Sequence, residues 1–264
     1  MSTDTTFRNF TAQQAAAYAS GRGGSYPQPL YETILDFHQG SRDLCMDVGT
    51  GPGKAVWDLL NYFNHCIGPK PKPAPATSTT EPLSSPIEAE HCSDPTLLHH
   101  AGVNPNSIDL LTVAMAAHWF QFPTFYPSAA QALRPGGTLA LWITSPCYCH
   151  PSVPGCREIQ TFLHTLEDEL LGPYMMPGNR LARQCYDDLP LPWSSLPSPS
   201  ATTMTGGEGA ENPCAALFDE VALERKYWDR GGVTFGTSLL CLMALRDRFL
   251  LGREVGFAWW LEGS

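Results

Sequence analysis

The chain has 264 residues, which suffices for one large α/β domain and is short for two ordinary ones. Its formal net charge of −10 repels phosphate backbones, so we expect no nucleic-acid partner. Neither an apolar leader of signal-peptide length nor a run approaching about 18 apolar residues is present, so we expect a cytoplasmic protein without a membrane span. In that compartment its nine cysteines should be reduced.

Hydrophobic periodicity predicts the first elements in chain order. Residues 11–20 follow a threonine cap signal and are good helix formers, and residues 31–39 form an amphipathic helix. Residues 44–48 are a short apolar strand that leads into a glycine-rich turn. Residues 54–63 then carry apolar side chains at helical spacing, and a brief second strand ends at residues 66–68.

Two segments differ in composition from the rest of the chain. Residues 69–86 contain six prolines and many serines and threonines, which excludes a regular helix. We interpret this segment as an extended or disordered insert. Residues 189–212 have a similar composition and are predicted to form a mobile surface loop.

A strand-helix-strand unit lies between these two segments. The sequence predicts a strand at 107–114, a helix at 125–133, a helix-stop turn at 134–137 and a strand at 138–143. Alternating strands and helices predict an α/β domain with a mostly parallel sheet and helices on both faces. Further along, helices are predicted at about 155–171 and 236–251, and a pair of strands at 216–225 and 226–233.

The turn at residues 47–53 has the sequence D-V-G-T-G-P-G. Glycines without a Cβ let the backbone approach a ligand closely, and the following helix offers free N–H groups at its positive end. By itself this turn suits a carboxylate, a ribose or a phosphate. An ordinary tight turn, or the nucleotide-binding turn of another family, remains an alternative.

An acidic residue followed by G-x-G-x-G resembles the first motif of class I S-adenosylmethionine-dependent methyltransferases. Residues 114–120, 125–126 and 133–142 resemble one branch, the trans-aconitate-methyltransferase-like proteins of fungi and bacteria. These include the A-x-H-W-F segment and the L-x-P-G-G turn of that branch. Later segments at 172–174, 186–190 and 224–228 are also similar, so the resemblance extends over about residues 7–240.

The resemblance implies a single Rossmann-like class I methyltransferase domain with a mostly parallel seven-stranded-type sheet, S-adenosyl-L-methionine as cofactor and a small-molecule substrate. His118 would orient the substrate or accept a proton, or else only support its loop. The substrate side would include Tyr18, Trp119 and Tyr174. The cofactor-binding residues it implies are Asp47, Gly49, Thr50, Gly51, Pro52, Gly53, Glu90, Met115 and Ala116.

The sequence departs from the family after the second strand. The family has an acidic residue there that bonds both ribose hydroxyls of the cofactor, but residues 67–73 read I-G-P-K-P-K-P. Losing two charge-assisted hydrogen bonds costs about 3 kcal/mol, or roughly a hundredfold in affinity.

We therefore expect an O-methyltransferase of a small-molecule carboxylic acid or a hydroxylated secondary metabolite. The alternative is a methyltransferase-like protein without methyl transfer, either a cofactor-independent cyclase or isomerase or a non-catalytic binding partner. A nicotinamide-dependent reductase is disfavoured by the glycine spacing. The sequence leaves a homodimer open.

Cys147, Cys149, His150 and Cys156 form a cluster of potential metal ligands with the spacing C-x-C-H-x5-C. This spacing matches no standard zinc pattern. We interpret it as a loop with free cysteines and predict no metal.

Overall fold

One twisted sheet organises the computed structural model, which describes residues 26–49, 53–68, 83–84, 103–149, 152–194, 214, 217–229 and 237–247. The helices are α1 (Gln28–Phe37), α2 (Lys54–Leu59), α3 (Phe122–Ala132), α4 (Cys156–Leu166) and α5 (Pro177–Arg183). The strands are β1 (Leu44–Asp47), β2 (His65–Gly68), β3 (Leu83–Ser84), β4 (Ile108–Ala114), β5 (Leu133–Tyr148), β6 (Phe218–Asp229) and β7 (Thr237–Asp247).

The strand order across the sheet is β3-β2-β1-β4-β5-β7-β6. Each neighbouring pair from β3 to β5 in this order is parallel. Strand β7 is antiparallel to both of its neighbours, β5 and β6. The predicted α/β class with a mostly parallel sheet is confirmed. The order reverses at β1, so the carboxyl ends of β1 and β4 are where such a sheet binds ligands.

Alternating side chains of the strands fill two cores, one on each face of the sheet. In β5, Leu139 and Leu141 enter one core, and Ala140 and Trp142 enter the other. Aromatic residues of α3 complete the first core, and apolar residues of α1 and α2 complete the second. This period of two explains why β4 and the middle of β5, residues 139–143, are mainly apolar, since both of their faces are covered.

A buried carboxylate joins three strands at their amino ends, opposite the ends where ligands bind. Asp109, 2% exposed, accepts hydrogen bonds from the backbone N–H groups of Asp43 and Leu44 and from the Ser41 hydroxyl. The Arg134 guanidinium donates to the same carboxylate at 2.7 Å. The starts of β1, β4 and β5 are thereby held in register, away from the ligand-binding edge.

The prediction for the C-terminal region was wrong. Residues 237–247, within the predicted helix 236–251, form β7, because they pair with β5 from Thr138↔Arg246 to Tyr148↔Thr237. The predicted strand pair 216–225 and 226–233 is one strand, β6, that continues through residues 225 and 226. Non-local pairing has overridden local propensity here.

Several predicted boundaries also differ from the structure. Helix α2 ends at Leu59, four residues before the predicted end. The predicted helix-stop turn at 134–137 lies inside β5, where Gly136 has φ +79° and the pairing with β4 shifts register. Residues 83–84 of the predicted insert are strand β3, paired in parallel with Ile67 and Gly68. The rest of the insert and the predicted helix 11–20 lie outside the described residues.

The second predicted loop begins as packed structure. Leu189 is buried, and the Pro190 carbonyl accepts a 2.6 Å hydrogen bond from the hydroxyl of Tyr126 on α3. The expectation of a mobile surface loop is therefore wrong for residues 189–194. Residues 195–212 of that loop lie outside the described part of the chain.

Two of the nine cysteines contradict the expectation of reduced thiols. Cys45 of β1 and Cys66 of β2 are register partners in the parallel pair, and a disulfide joins them. Both are fully buried. Among the described residues, none of the helices is long and apolar enough to cross a bilayer.

Candidate functional site

The candidate site starts from a buried carboxylate at the end of β1. Asp47 is fully buried, and its Oδ1 accepts a 2.6 Å hydrogen bond from Thr112 Oγ1 on β4. The two residues are register partners, and the Val48 N–H donates to the Thr112 carbonyl at 2.8 Å. Thr112 was missed in the sequence, where a threonine in an apolar run indicates only a strand.

Gly49 follows as the first glycine of the turn and has φ +71°, a conformation that residues with a Cβ rarely adopt. A Cβ added there would lie 2.6 Å from the Ala116 Cβ and 3.3 Å from Phe120 Cζ. The turn after β1 and the segment after β4 are therefore packed so closely that there is no room for a side chain at position 49. This contact brings two of the predicted cofactor-binding residues, Gly49 and Ala116, to one place.

Gly53 closes the turn in a left-handed conformation, φ +79°, just before α2. Because α2 has only six residues, its dipole is weaker than the predicted ten-residue helix would provide. The predicted cofactor-binding residues Thr50, Gly51 and Pro52 lie outside the described residues.

Met115, directly after β4, has φ +61°, which is unusual for a non-glycine residue. Its backbone N–H donates to the Trp142 carbonyl, and its sulfur accepts hydrogen bonds from the N–H and hydroxyl of Thr144. Such a backbone costs about 1–3 kcal/mol and persists where the surroundings enforce it. It turns the chain sharply between β4 and the next segment.

That segment is a single helical turn, Ala117–Trp119, which holds the predicted catalytic residue. His118 is half-buried, and its Nδ1 lies 3.0 Å from the hydroxyl of Tyr186. Its ring centroid lies 4.6 Å from that of Trp119, which is also half-buried. The predicted substrate-side Trp119 is therefore beside His118.

The partner of His118 comes from a second strained segment. Cys185 and Tyr186 follow each other at φ +53° and +64°, and Tyr186 is 2% exposed. Helix α5 covers the same turn, since a Cβ on Gly178 would collide with the His118 carbonyl oxygen. Tyr186 was noticed in the sequence only as part of a late family segment, without a role.

Aromatic side chains form a group on the other face of the sheet. Tyr26 lies edge-on to Trp142 with ring centroids 5.4 Å apart, and Lys54 Nζ lies over the Tyr26 ring. The Tyr31 hydroxyl donates to Asp58 at 2.8 Å. Burial, and next the charge of Asp58, raise the pKa of Tyr31 far above its ordinary value, so it stays protonated.

Of the remaining predicted residues, the structure describes Tyr174, which is not gathered at this place. Tyr174 is 83% exposed, in a short turn after α4. Tyr18 and Glu90 lie outside the described residues, as does His150 of the cysteine cluster. No group of three or more potential metal ligands is found in the described residues.

Residues 46–141 match the family described as "Methyltransferase domain". The matched region begins in β1 and ends in β5, and it contains Asp47, the glycine turn, Thr112 and His118.

Curated relatives match over similar parts of the chain. A Dictyostelium discoideum protein described as a methyltransferase is 35% identical over 121 residues, 45% of this chain and 43% of the relative. A Saccharomyces cerevisiae protein described as an S-adenosylmethionine-dependent methyltransferase is 30% identical over 123 residues, 45% of this chain and 41% of the relative. A methyltransferase of Aspergillus candidus is 25% identical over 204 residues, 72% of this chain and 63% of the relative. The matched region spans less than half of the first two relatives.

Proposed function

We propose that the protein is an S-adenosylmethionine-dependent O-methyltransferase, a proposal supported by the match of residues 46–141 to the methyltransferase family and by the order of the sheet. Its acceptor is a small-molecule carboxylic acid or a hydroxylated secondary metabolite. The acidic chain disfavours nucleic acid, and the relatives include fungal proteins named methyltransferases. A cytoplasmic location remains a prediction from the sequence, which also leaves a homodimer open.

The observation that carries this proposal is the contact between Gly49 and Ala116. There the Ala116 methyl group and the Phe120 ring occupy the position that a Gly49 Cβ would take, so the turn after Asp47 lies against the segment after β4 at the carboxyl ends of two parallel strands, where such a sheet binds ligands. Asp47, Gly49 and Ala116 are the residues that would hold S-adenosylmethionine. When bound, the cofactor supplies a methyl group already activated by its sulfonium, so the protein's main task is alignment.

Titration calorimetry with S-adenosylmethionine and S-adenosylhomocysteine tests this proposal. We expect micromolar binding by the full chain and at least a tenfold loss in Gly49→Ala, where the new methyl group collides with Ala116. Gly136→Ala is the matched control, because it introduces a side chain at φ +79° where nothing lies within 4 Å. Equal binding by both variants contradicts the proposed site.

A second candidate function follows from residues 67–73, which carry no acidic residue. In that case the fold binds a metabolite without methyl transfer, as an isomerase, a cyclase or a non-catalytic partner. No calorimetric signal at millimolar S-adenosylmethionine favours this second function. Binding followed by a 14 Da mass gain in an acceptor favours the first.

A further inference from the structure

The sulfur of Met115 takes part in the hydrogen bonding where β4 ends beside β5. The parallel ladder of the two strands runs to the pair Ala114↔Trp142, and the Met115 N–H donates to the Trp142 carbonyl. If the ladder continued, the Thr144 N–H would donate to the backbone carbonyl of residue 115. In the structure this N–H donates to the Met115 sulfur at 3.1 Å, and the Thr144 hydroxyl donates to the same sulfur at 3.3 Å.

This arrangement lets the chain leave the sheet directly after β4. A backbone N–H beside a neighbouring strand needs an acceptor, and a sulfur that serves as one allows the backbone of residue 115 to turn away. Met115 has φ +61°, which a non-glycine residue keeps where its surroundings enforce it. Ala116 follows, and its methyl group is the one that a Cβ on Gly49 would meet. The turn at Met115 therefore determines where Ala116 and Gly49 come together.

We infer that Thr144 is a positioning residue for the cofactor site and acts through the Met115 sulfur. Its two donors hold the methionine side chain, and the methionine holds the left-handed turn that places Ala116 against Gly49. The inference rests on the proposed function, in which Gly49 and Ala116 would hold S-adenosylmethionine. It goes beyond that function by adding a residue of β5 to the site. It also gives the Met115 side chain a task that requires no contact with the ligand.

Thr138 provides a matched control on the same strand. It is fully buried, and its hydroxyl lies 3.0 Å from Nδ1 of His38. Thr138 pairs with Leu110 near the start of β4, whereas Thr144 follows the last pair at the end of β4. Thr138→Val therefore removes a hydrogen bond of a β5 threonine at a distance from the ligand-binding edge. It should lower stability and leave the Kd for S-adenosylmethionine within about twofold of the wild type.

Titration calorimetry of the full chain with S-adenosylmethionine measures the effect on the site. Met115→Leu keeps the size of the side chain but removes both bonds to sulfur, so the affinity should fall about tenfold. Thr144→Val removes one of the two bonds, and the affinity should fall about fourfold. Thr144→Ser keeps both donors and should bind within about twofold of the wild type. The double variant Met115→Leu/Thr144→Val should bind no more weakly than Met115→Leu, because both changes act through one contact.

Met115→Gly separates a role in the turn from a role in packing. Glycine adopts a positive φ without a steric cost, so the turn can form in this variant although the whole side chain is lost. S-adenosylmethionine should therefore bind more tightly to Met115→Gly than to Met115→Leu. If the side chain of Met115 served only to fill space, the larger truncation would bind more weakly, and that order overturns the inference.

Amide spectra recorded without the cofactor test the same link independently of binding. In ¹H–¹⁵N spectra of the full chain, Met115→Leu and Thr144→Val should each shift the signals of Gly49 and Ala116, whereas Thr138→Val should leave them in place. Should Met115→Leu fail to fold, the Thr144→Val and Thr144→Ser pair decides. Unshifted signals, or an equal loss of affinity in Thr138→Val and Thr144→Val, contradict the inference. A wild type that gives no calorimetric signal contradicts the proposed function instead, and the spectra then decide whether Thr144 sets the turn.

Discussion

Thr112 donates from its hydroxyl to the Asp47 carboxylate across two neighbouring parallel strands, at 2.6 Å and with both residues fully buried. The carboxylate therefore has a fixed direction before any ligand arrives. Thr112 belongs to no recognisable sequence motif, yet it orients Asp47, the acidic residue of the glycine-rich motif.

Thr112→Val tests this relationship. The replacement keeps the branched shape but removes a hydrogen bond to a buried carboxylate, which should lower the free energy of unfolding by about 1.5–3 kcal/mol. Urea titration measures this loss. Thr33→Val is the matched control at another buried threonine, because its hydroxyl donates to the neutral Pro29 carbonyl at 2.9 Å rather than to a carboxylate, and the loss should be about 1 kcal/mol. Equal losses of unfolding free energy in the two variants would show that the Thr112–Asp47 hydrogen bond contributes no more to stability than the Thr33–Pro29 bond.

Asp109 should be among the most sensitive polar positions for stability. Asp109→Ala leaves the backbone N–H groups of Asp43 and Leu44 without this acceptor and removes the nearest carboxylate from Arg134, so we expect a loss of about 3–5 kcal/mol. Asp43→Asn provides the comparison: its carboxylate is 57% exposed and 3.6 Å from Arg134, and its loss should be under about 1 kcal/mol. Chemical denaturation ranks the two variants.

Tyr31 should make stability depend on pH at the alkaline end. The pKa of Tyr31 is raised in the folded state, so only the unfolded chain ionises this group, and its contribution is complete below about pH 10 and lost above it. The wild type should lose about 1.4 kcal/mol per pH unit above pH 10 relative to Tyr31→Phe. Urea unfolding from pH 8 to 11 measures this difference.

The exposed Tyr174→Phe variant is the control for the alkaline series and should follow the wild type. If Tyr31→Phe and the wild type run parallel across this range, the buried hydroxyl does not determine the alkaline limit.

The Cys45–Cys66 disulfide should contribute to stability by restricting the unfolded chain. It closes a loop of 21 residues, for which loop-closure entropy gives about 3 kcal/mol. We expect Cys45→Ala/Cys66→Ala to unfold at correspondingly lower urea concentration, with Cys149→Ser as a control at a half-buried cysteine outside the disulfide. Mass spectrometry after alkylation of the unfolded, unreduced chain should find both sulfurs protected, and labelled sulfurs would contradict the bond.

Local signals predicted the first half of the fold well. The strands β1 and β4 are mainly apolar, and the glycine turn between β1 and α2 follows from its own residues. Residues 237–247, by contrast, are rich in leucine, methionine and alanine, which favour helices, and only their pairing with β5 makes them a strand. No local pattern contains that information.

In the candidate site, too, local motifs predicted some residues, whereas partners that are distant in sequence were missed. Asp47, Gly49, Ala116 and His118 were identified from motifs that each lie within a few residues. The partners that orient them, Thr112 and Tyr186, lie 65 and 68 residues away from Asp47 and His118. Hydrogen bonds over such separations depend on the folded topology, so the sequence indicated the chemical groups but not their orientation.

The two edges of the described sheet differ in what they offer to another polypeptide. The β3 edge presents only two residues, whereas β6 presents 12. Open backbone groups on a long edge strand are a template for pairing with a second chain, and a very short edge strand offers little to pair with. Among the described strands, β6 therefore offers the longer run of backbone for pairing with a second chain, and it lies on the far side of β7 from β1 and its glycine turn.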